Sequence, residues 1–115
     1  MDGSSPLRPQ GNTFVIPVAP SLPNGATNVG VNPGAGEVDY LFYNPHGSVD
    51  AYIGYGMTSD AARANAVVPL IGASSAVVAV PHGLMKTYTL APGLYFAGIS
   101  LTGSCAVICT PGYGI

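Results

Sequence analysis

The chain has 115 residues, of which 7% are charged, and its formal net charge is −2. A soluble domain ordinarily carries about 25% charged residues. With so few charges, the surface of a free monomer would be poorly solvated. The composition therefore favours a protein that buries surface against partner subunits. The three basic residues form no cluster, which argues against nucleic-acid binding and against binding to acidic membranes.

Residues 1–36 are predicted to form an extended N-terminal arm. The start, MDGSSPLRPQG, lacks the basic segment and apolar run of a signal peptide, and no stretch of the chain approaches the ~20 apolar residues of a membrane span. Within the arm, TFVIPVA (13–19) is β-branched and aromatic and predicts a strand. Pro17 cannot donate a ladder hydrogen bond, so we expect an edge strand. Residues 20–36 are rich in Gly, Pro and Asn, which predicts irregular chain that lies across a neighbouring subunit.

Two strands are predicted at the start of the core, in EVDYLFYN (37–44) and VDAYIGYG (49–56). In the second segment apolar side chains recur at every other position from Val49 to Tyr55, and this period of two is typical of a strand with one buried face. The intervening NPHGS carries the Asn, Pro and Gly of a turn. We therefore expect the two strands to form a hairpin.

The rest of the chain predicts one short helix and further strands. MTSDAARANA (57–66) is the helical candidate, with Thr58 or Ser59 as N-cap. It is too short to be stable alone, so we expect one or two turns at most, or an extended loop. Strands are predicted at 66–74, 75–81, 86–91, 95–101 and 105–110. About eight short strands, with turn residues at intervals of about ten, indicate an all-β fold, namely a jelly-roll-like β-sandwich over residues 37–115.

The two cysteines are predicted to be free thiols that pack as small apolar residues. Cys105 and Cys109 fall on one predicted strand, where their Cα atoms would be about 13 Å apart. A disulfide requires less than about 7 Å. Neither cysteine has a nearby His or acid that would complete a metal site.

No catalytic residue, metal site or cofactor is predicted. His46 and His82 lie in two separate turns, and we interpret them as exposed turn residues because nothing brings a third ligand to them; a general base or a metal pair is the alternative. Asp39 and Asp50 flank the predicted hairpin and are interpreted as solvent-facing charges, with paired carboxylates or calcium binding as the alternative. No serine lies in a G-x-S-x-G elbow.

The tyrosines are compatible with three roles. The seven are Tyr40, Tyr43, Tyr52, Tyr55, Tyr88, Tyr95 and Tyr113. Tyrosine is favoured at interfaces because it is part apolar and part polar. Ordinary packing in the core or on the sheet surface and a functional role are given equal weight, and of the two functional roles we favour subunit contact over sugar stacking.

Two segments carry a resemblance to a known group of proteins. They are YNPHGSVDAYIGYG (43–56) and KTYTLAPGLYFAGISLTGSCAVICTPGYG (86–114). Together they resemble small virion proteins of tailed bacteriophages that are encoded among the head genes, a group that includes capsid cement or decoration proteins. The resemblance implies a jelly-roll fold, a homo-oligomer in which a trimer is favoured, and no catalytic residue. It also implies synthesis in the host cytoplasm and location on the surface of the virion capsid.

The resulting hypothesis is a structural protein that stabilises the phage head by bridging subunits of the major capsid protein. Phe14, Ile16 and Val18 would add an edge strand to a neighbouring subunit, and Tyr113 and Ile115 complete the expected subunit interface. The alternative is a receptor- or carbohydrate-binding module of a phage spike or tail fibre. Enzymatic activity is not expected, because no clustered His or carboxylate groups are apparent.

Overall fold

The described part of the chain forms short strands and one short helix. A computed structural model describes residues 8–9, 13–21, 25–28, 37–69 and 75–113. The elements in chain order are β1 (Arg8–Pro9), β2 (Phe14–Ala19), β3 (Thr27–Asn28), β4 (Val38–Tyr43), β5 (Ala51–Gly56), α1 (Ser59–Asn65), β6 (Val77–Val80), β7 (Met85–Leu90), β8 (Tyr95–Ile99) and β9 (Cys105–Tyr113). The predicted all-β class is confirmed.

The nine strands belong to one sheet that nearly closes on itself. Seven of them follow the order β6-β5-β8-β2-β9-β4-β7, while β1 pairs with the end of β9 and β3 pairs with β8. The pairing of β2 with β8 is parallel, and the others are antiparallel. The terminal strands β6 and β7 are linked by a 2.7 Å hydrogen bond from the Tyr88 hydroxyl to the Ala79 carbonyl. The finer prediction, a two-layered jelly-roll sandwich, stays a prediction.

The core lies on the inner face of this sheet. Its centre is a group of fully buried rings from β4 and β8, in which Phe96 meets Tyr40 edge-on at 5.0 Å and Phe42 edge-on at 5.4 Å between ring centroids. Edge-to-face contacts of this kind match the positive edge of one ring to the negative face of another. The Tyr40 hydroxyl donates to the Ala91 carbonyl at 2.9 Å, so its polar group is paired.

The helix forms where it was predicted, and it packs closely on β5. Thr58 is the N-cap, and its hydroxyl accepts a hydrogen bond from the Ala61 amide at 3.1 Å. Beyond the C-terminal end of α1, Ala66 crosses Gly54 so closely that a Cβ on this glycine would lie 2.4 Å from the Ala66 nitrogen. Gly54 therefore permits the close approach of the chain that leaves α1.

The prediction that residues 13–19 form an edge strand is wrong. β2 pairs with β9 along residues 14–18 and with β8 at Val18 and Ala19. The Ala19 carbonyl accepts from the Ser100 amide beside β8. Residues two apart in a strand direct their backbone groups to the same side, so Pro17, like Ala19, faces β8. β8 pairs with β2 only from Val18 onward. The missing N–H of Pro17 therefore removes no bond to β9, and the strand can lie inside the sheet.

The predicted hairpin of β4 and β5 is also wrong. β4 pairs with β7 and β9, whereas β5 pairs with β6 and β8. The connection turns around the buried Asn44, whose side-chain amide donates to the carbonyls of Val49 at 2.8 Å and Val80 at 3.0 Å. The Asn44 backbone bonds to Gly83 and Leu84 in the β6–β7 turn. These hydrogen bonds hold the connection between β4 and β5 against β6 and the β6–β7 turn.

Other strand predictions agree with the structure to within a few residues, with two differences. Residues 66–69 of the segment predicted as a strand at 66–74 are not in a strand, and residues 70–74 lie outside the described residues. Within the predicted arm 1–36, the two-residue strands β1 and β3 were not predicted, because two residues carry no readable period.

Candidate functional site

The outer face of four adjacent strands carries a continuous row of exposed apolar side chains. Along each strand the side chains alternate between the core and the outside, and the register places one outward residue from each strand directly opposite the next. From β7 to β2 this apolar row is Met85, Tyr43, Ile108 and Val15. The exposed fractions are 63% for Met85, 59% for Val15 and 37% for Tyr43, with Ile108 partly buried.

A second row, rich in threonine, runs beside the apolar row on the same face. In the same strand order it consists of Thr87, Leu41, Thr110 and Thr13. The hydroxyls of Thr13 and Thr110 are 3.0 Å apart and form a hydrogen bond. We call the apolar row and the threonine row together the outer face.

Neither of the two rows contains a charged side chain, but Asp39, the next outward residue of β4, borders the threonine row. Asp39 lies one row further along β4, opposite Thr89, and its carboxylate accepts a 2.5 Å hydrogen bond from the Thr89 hydroxyl. The four apolar side chains in register, bordered by uncharged hydroxyls, make the outer face a candidate contact surface for another protein.

The predicted interface residues of β2 lie mostly on the opposite side of that strand. Ile16 and Val18 are 1% and 2% exposed and belong to the core of their own chain, so their side chains are not accessible to a neighbouring subunit. Phe14 is partly buried against the same core. The outward residues of β2 are instead Val15 and Pro17.

The two remaining predicted interface residues lie at the C-terminal end. Tyr113 pairs through its backbone with Arg8 of β1, and Ile115 lies outside the described residues. An interface role for these two residues stays a prediction. Residues 14–19 are all apolar, so the sequence does not distinguish the buried side of β2 from its outward side, and it does not show that the strand lies inside the sheet.

The tyrosines are divided between packing and exposure. Tyr40 is buried, and the hydroxyls of Tyr40 and Tyr88 are bonded to main-chain carbonyls. Burial raises the pKa of Tyr88. Among the tyrosines whose side chains are described, Tyr43 is the most exposed. Tyr43 is thus the tyrosine with most surface available to a partner, and it lies in the apolar row.

The histidines have structural partners in two separate turns. His46 accepts hydrogen bonds at Nδ1 from the amides of Ser48 and Val49. His82 Nδ1 is 2.6 Å from Asp50 Oδ1, which also accepts from the His82 amide at 3.0 Å. The bond from the His82 amide, followed by the side-chain bond, lowers the pKa of Asp50. Within the described ranges, no group of three or more His, Cys, Asp or Glu side chains could hold a metal ion.

Both cysteines are free thiols on β9, as predicted. Cys109 belongs to the core, and burial raises its pKa to about 12. Cys105 is partly buried, and its pKa is raised for the same reason. Both thiols are therefore protonated at neutral pH and are poor nucleophiles.

A cavity of about 550 Å³ lies where β2, β3 and β8 diverge. Its lining combines apolar residues such as Val18 and Phe96 with the hydroxyls of Ser21, Thr27 and Ser104. This volume falls within the range of small-molecule sites, but among the described residues no charged side chain lines it to orient a polar ligand.

Comparisons with known proteins identify no relative of this chain. No protein-family model, curated protein or solved structure matches it. In the part of the chain that the structure describes, no helix combines the length and apolar character needed to cross a membrane.

Proposed function

We propose that this chain is a structural protein that works as a subunit of a larger protein assembly. The observation that carries the proposal is the outer face, where Met85, Tyr43 and Val15 expose apolar surface in one register row. Because these side chains are 37–63% exposed in the single chain, covering what remains exposed of one of them stabilises an interface by about 0.5–2 kcal/mol. Because the face holds no charge, covering it requires no desolvation of an ion.

The composition supports the same proposal. Only 7% of the residues are charged, so contact with other subunits would remove a poorly solvated surface from water. The described polar side chains that are buried have hydrogen-bond partners. In the described part of the chain, no buried polar side chain therefore lacks a hydrogen-bond partner that a ligand would have to supply.

For the type of assembly, we propose the head of a tailed bacteriophage, with the major capsid protein as partner. The support is the resemblance of residues 43–56 and 86–114 to capsid cement proteins; these segments contain β5 and β7–β9 of the sheet. The chain would bind where capsid subunits meet and oppose their separation under the pressure of packaged DNA. A homotrimer on the virion surface is the arrangement that the resemblance implies.

The test is binding to expanded phage shells that lack this protein. We expect the added wild-type chain to bind the shells and raise their disruption temperature. Met85→Lys should reduce binding about tenfold or more, because a Lys would be desolvated without a partner. Met57→Lys is a matched control, since Met57 is 60% exposed but lies between β5 and α1, outside the outer face.

Two results would contradict the proposal. If the wild-type chain neither binds the shells nor changes their disruption temperature, the cement function is wrong. If Met85→Lys and Met57→Lys bind equally well, the shells are contacted through another surface, and the outer face does not carry this function.

A receptor- or carbohydrate-binding module is the second candidate, and the cavity between β2, β3 and β8 is the observation that favours it. Its hydroxyls at Ser21, Thr27 and Ser104 could bind sugar hydroxyls. Glycan-array screening of the wild-type chain separates the candidates. Sugar binding that Ser104→Leu abolishes and Met85→Lys leaves unchanged would favour the module, whereas a cement protein shows no dependence on sugars.

A further inference from the structure

We infer that His46 is a pH-sensitive switch, which holds the connection between β4 and β5 at neutral pH and releases part of it when the imidazole is protonated. The connection comprises residues 44–50, since β4 ends at Tyr43 and β5 begins at Ala51. This property is independent of the proposed function, because it depends only on hydrogen bonds within one chain.

The switch is the Nδ1 atom of His46, which accepts two backbone hydrogen bonds. The Ser48 amide donates to it at 3.0 Å and the Val49 amide at 3.1 Å. A backbone amide can only donate, so Nδ1 carries no proton, and the proton of the neutral ring lies on Nε2. An imidazolium ring carries hydrogen on both nitrogens and accepts no hydrogen bond. Protonation of His46 therefore breaks both bonds at once.

The pH range and the exposure of the ring suit this role. Histidine is the side chain that ordinarily changes its charge between pH 5 and 8. His46 is only partly buried, so a protonated ring can turn toward water and donate from both nitrogens. The Ser48 and Val49 amides then lose their acceptor.

Other hydrogen bonds set the limits of the segment that is released. The Asn44 side-chain amide donates to the carbonyls of Val49 and Val80, and its oxygen accepts from the His46 amide at 3.1 Å. These bonds involve no titratable group, so they persist as the pH falls. We therefore expect the change to be confined to residues 46–49, while β4 and β5 remain in the sheet.

The histidine in the β6–β7 turn responds to pH in the opposite way. His82 Nδ1 is 2.6 Å from Asp50 Oδ1, and an ionised carboxylate only accepts hydrogen bonds, so this Nδ1 carries the proton. Protonation of His82 keeps that bond and adds charge to it. The bond from the His82 amide, followed by the side-chain bond, lowers the pKa of Asp50 from 3.8. Asp50 therefore stays ionised over the range in which histidines titrate.

Few charged groups surround the connection. It packs against β6, the β6–β7 turn and the turn between β8 and β9, and residues 77–80 and 100–104 contain no acidic or basic side chain. In the described part of the chain, His46 forms no ion pair. The other groups there that titrate are, among the described residues, Asp50, His82, Tyr43 and Lys86.

The test is NMR spectroscopy of the full chain, labelled with ¹⁵N, between about pH 7.5 and about pH 4.5. At the upper pH we expect the neutral ring of His46 to carry its proton on Nε2. As the pH falls, the Ser48 and Val49 amide protons should move toward the chemical shifts of unstructured chain, and their heteronuclear NOE values should fall. A proton on His46 Nδ1 at the upper pH, or amide resonances that do not move, would overturn the inference.

Two substitutions at His46 identify the group that responds. His46→Asn brings an amide oxygen near the position of Nδ1 but does not titrate, so the Ser48 and Val49 amides should stay bonded over the whole pH range. His46→Ala removes the acceptor, so both amides should show the released shifts at every pH. A pH response of these amides in either variant would assign it to another group and would show that His46 is not the switch.

The matched control is His82→Ala, which removes the other histidine at this end of the sheet. We expect the Ser48 and Val49 amides to respond to pH as in the wild-type protein. Loss of the response in His82→Ala would assign it to the contact with Asp50 and overturn the role of His46. The amides of β4 and β5 are the internal reference, and a simultaneous change in them would indicate general unfolding and contradict a local release.

Discussion

The hydroxyl of Tyr88 on β7 donates a 2.7 Å hydrogen bond to the carbonyl oxygen of Ala79 on β6, and these two strands are the ends of the seven-strand path. A sheet edge exposes unpaired backbone groups that can recruit another strand. The Tyr88 hydroxyl bonds to one of these backbone groups, the Ala79 carbonyl, and so links the two edges of the sheet through a side chain.

Tyr88→Phe should therefore lower the free energy of unfolding by about 0.5–1.5 kcal/mol, the usual contribution of one hydrogen bond. The ring would still pack against Phe42, whose centroid is 6.0 Å away. Urea denaturation measures the change, with Tyr43→Phe as a matched control on an exposed ring. Equal stabilities of the two variants would show that the bond does not hold the edges together.

Asn44→Ala should destabilise the chain by about 2–4 kcal/mol, because it leaves the carbonyls of Val49 and Val80 without their shared donor. The control is Ser48→Ala, an exposed position in the same loop. Thermal unfolding followed by circular dichroism measures both variants. A loss no larger than that of Ser48→Ala would contradict the role assigned to Asn44.

Gly54→Ala should cost about 1–3 kcal/mol, because the new methyl group would lie 2.4 Å from the Ala66 nitrogen and must displace backbone. Gly47→Ala serves as control, since a Cβ at Gly47 meets nothing within 4 Å. Urea denaturation of the two variants gives the comparison. If Gly54→Ala is as stable as Gly47→Ala, the backbone at Ala66 does not pass as close to Gly54 as in the structure.

The carboxyl pKa of Asp50, read by NMR titration, should fall below its ordinary value of 3.8. In His82→Ala the pKa should rise only part of the way, because the His82 amide is the larger cause and remains. A lowered folded-state pKa means that this contribution to stability is complete above the unfolded-state pKa. It is lost as pH falls through the folded-state value. A wild-type pKa at or above 3.8 would contradict the geometry of the Asp50–His82 contact.

The positions of most elements could be predicted from local patterns, whereas their pairing could not. The alternation in residues 49–56 predicted the burial of Ala51 and Ile53, and Thr58 was among the predicted caps of α1. The partners of β4 are β7 and β9, more than 40 residues further along the chain. No local pattern reports such distant partners, so the neighbouring β5 was wrongly chosen.

Pro17 illustrates a second limit. Proline excludes hydrogen bonding on one side of a strand only, and the sequence does not say where each neighbouring strand begins to pair. Because β8 starts pairing at Val18, β2 lies inside the sheet. This placement decides which side of β2 is exposed. Ile16 and Val18, predicted to lie in an interface, face the core, whereas Val15 on the other side of the strand lies on the outer face.

Methionine oxidation at two positions measures whether protein covers the outer face in an assembly. Met85 and Met57 have similar exposed fractions, 63% and 60%, in the single chain. The wild-type protein, free in solution and bound to expanded phage shells, receives the same limited pulse of peroxide, and the sulfoxide at each methionine is measured by peptide mass spectrometry. We predict that oxidation of Met85 relative to Met57 is lower in the shell-bound protein than in the free protein. An unchanged ratio between the two methionines would contradict the proposal that the outer face contacts the shell.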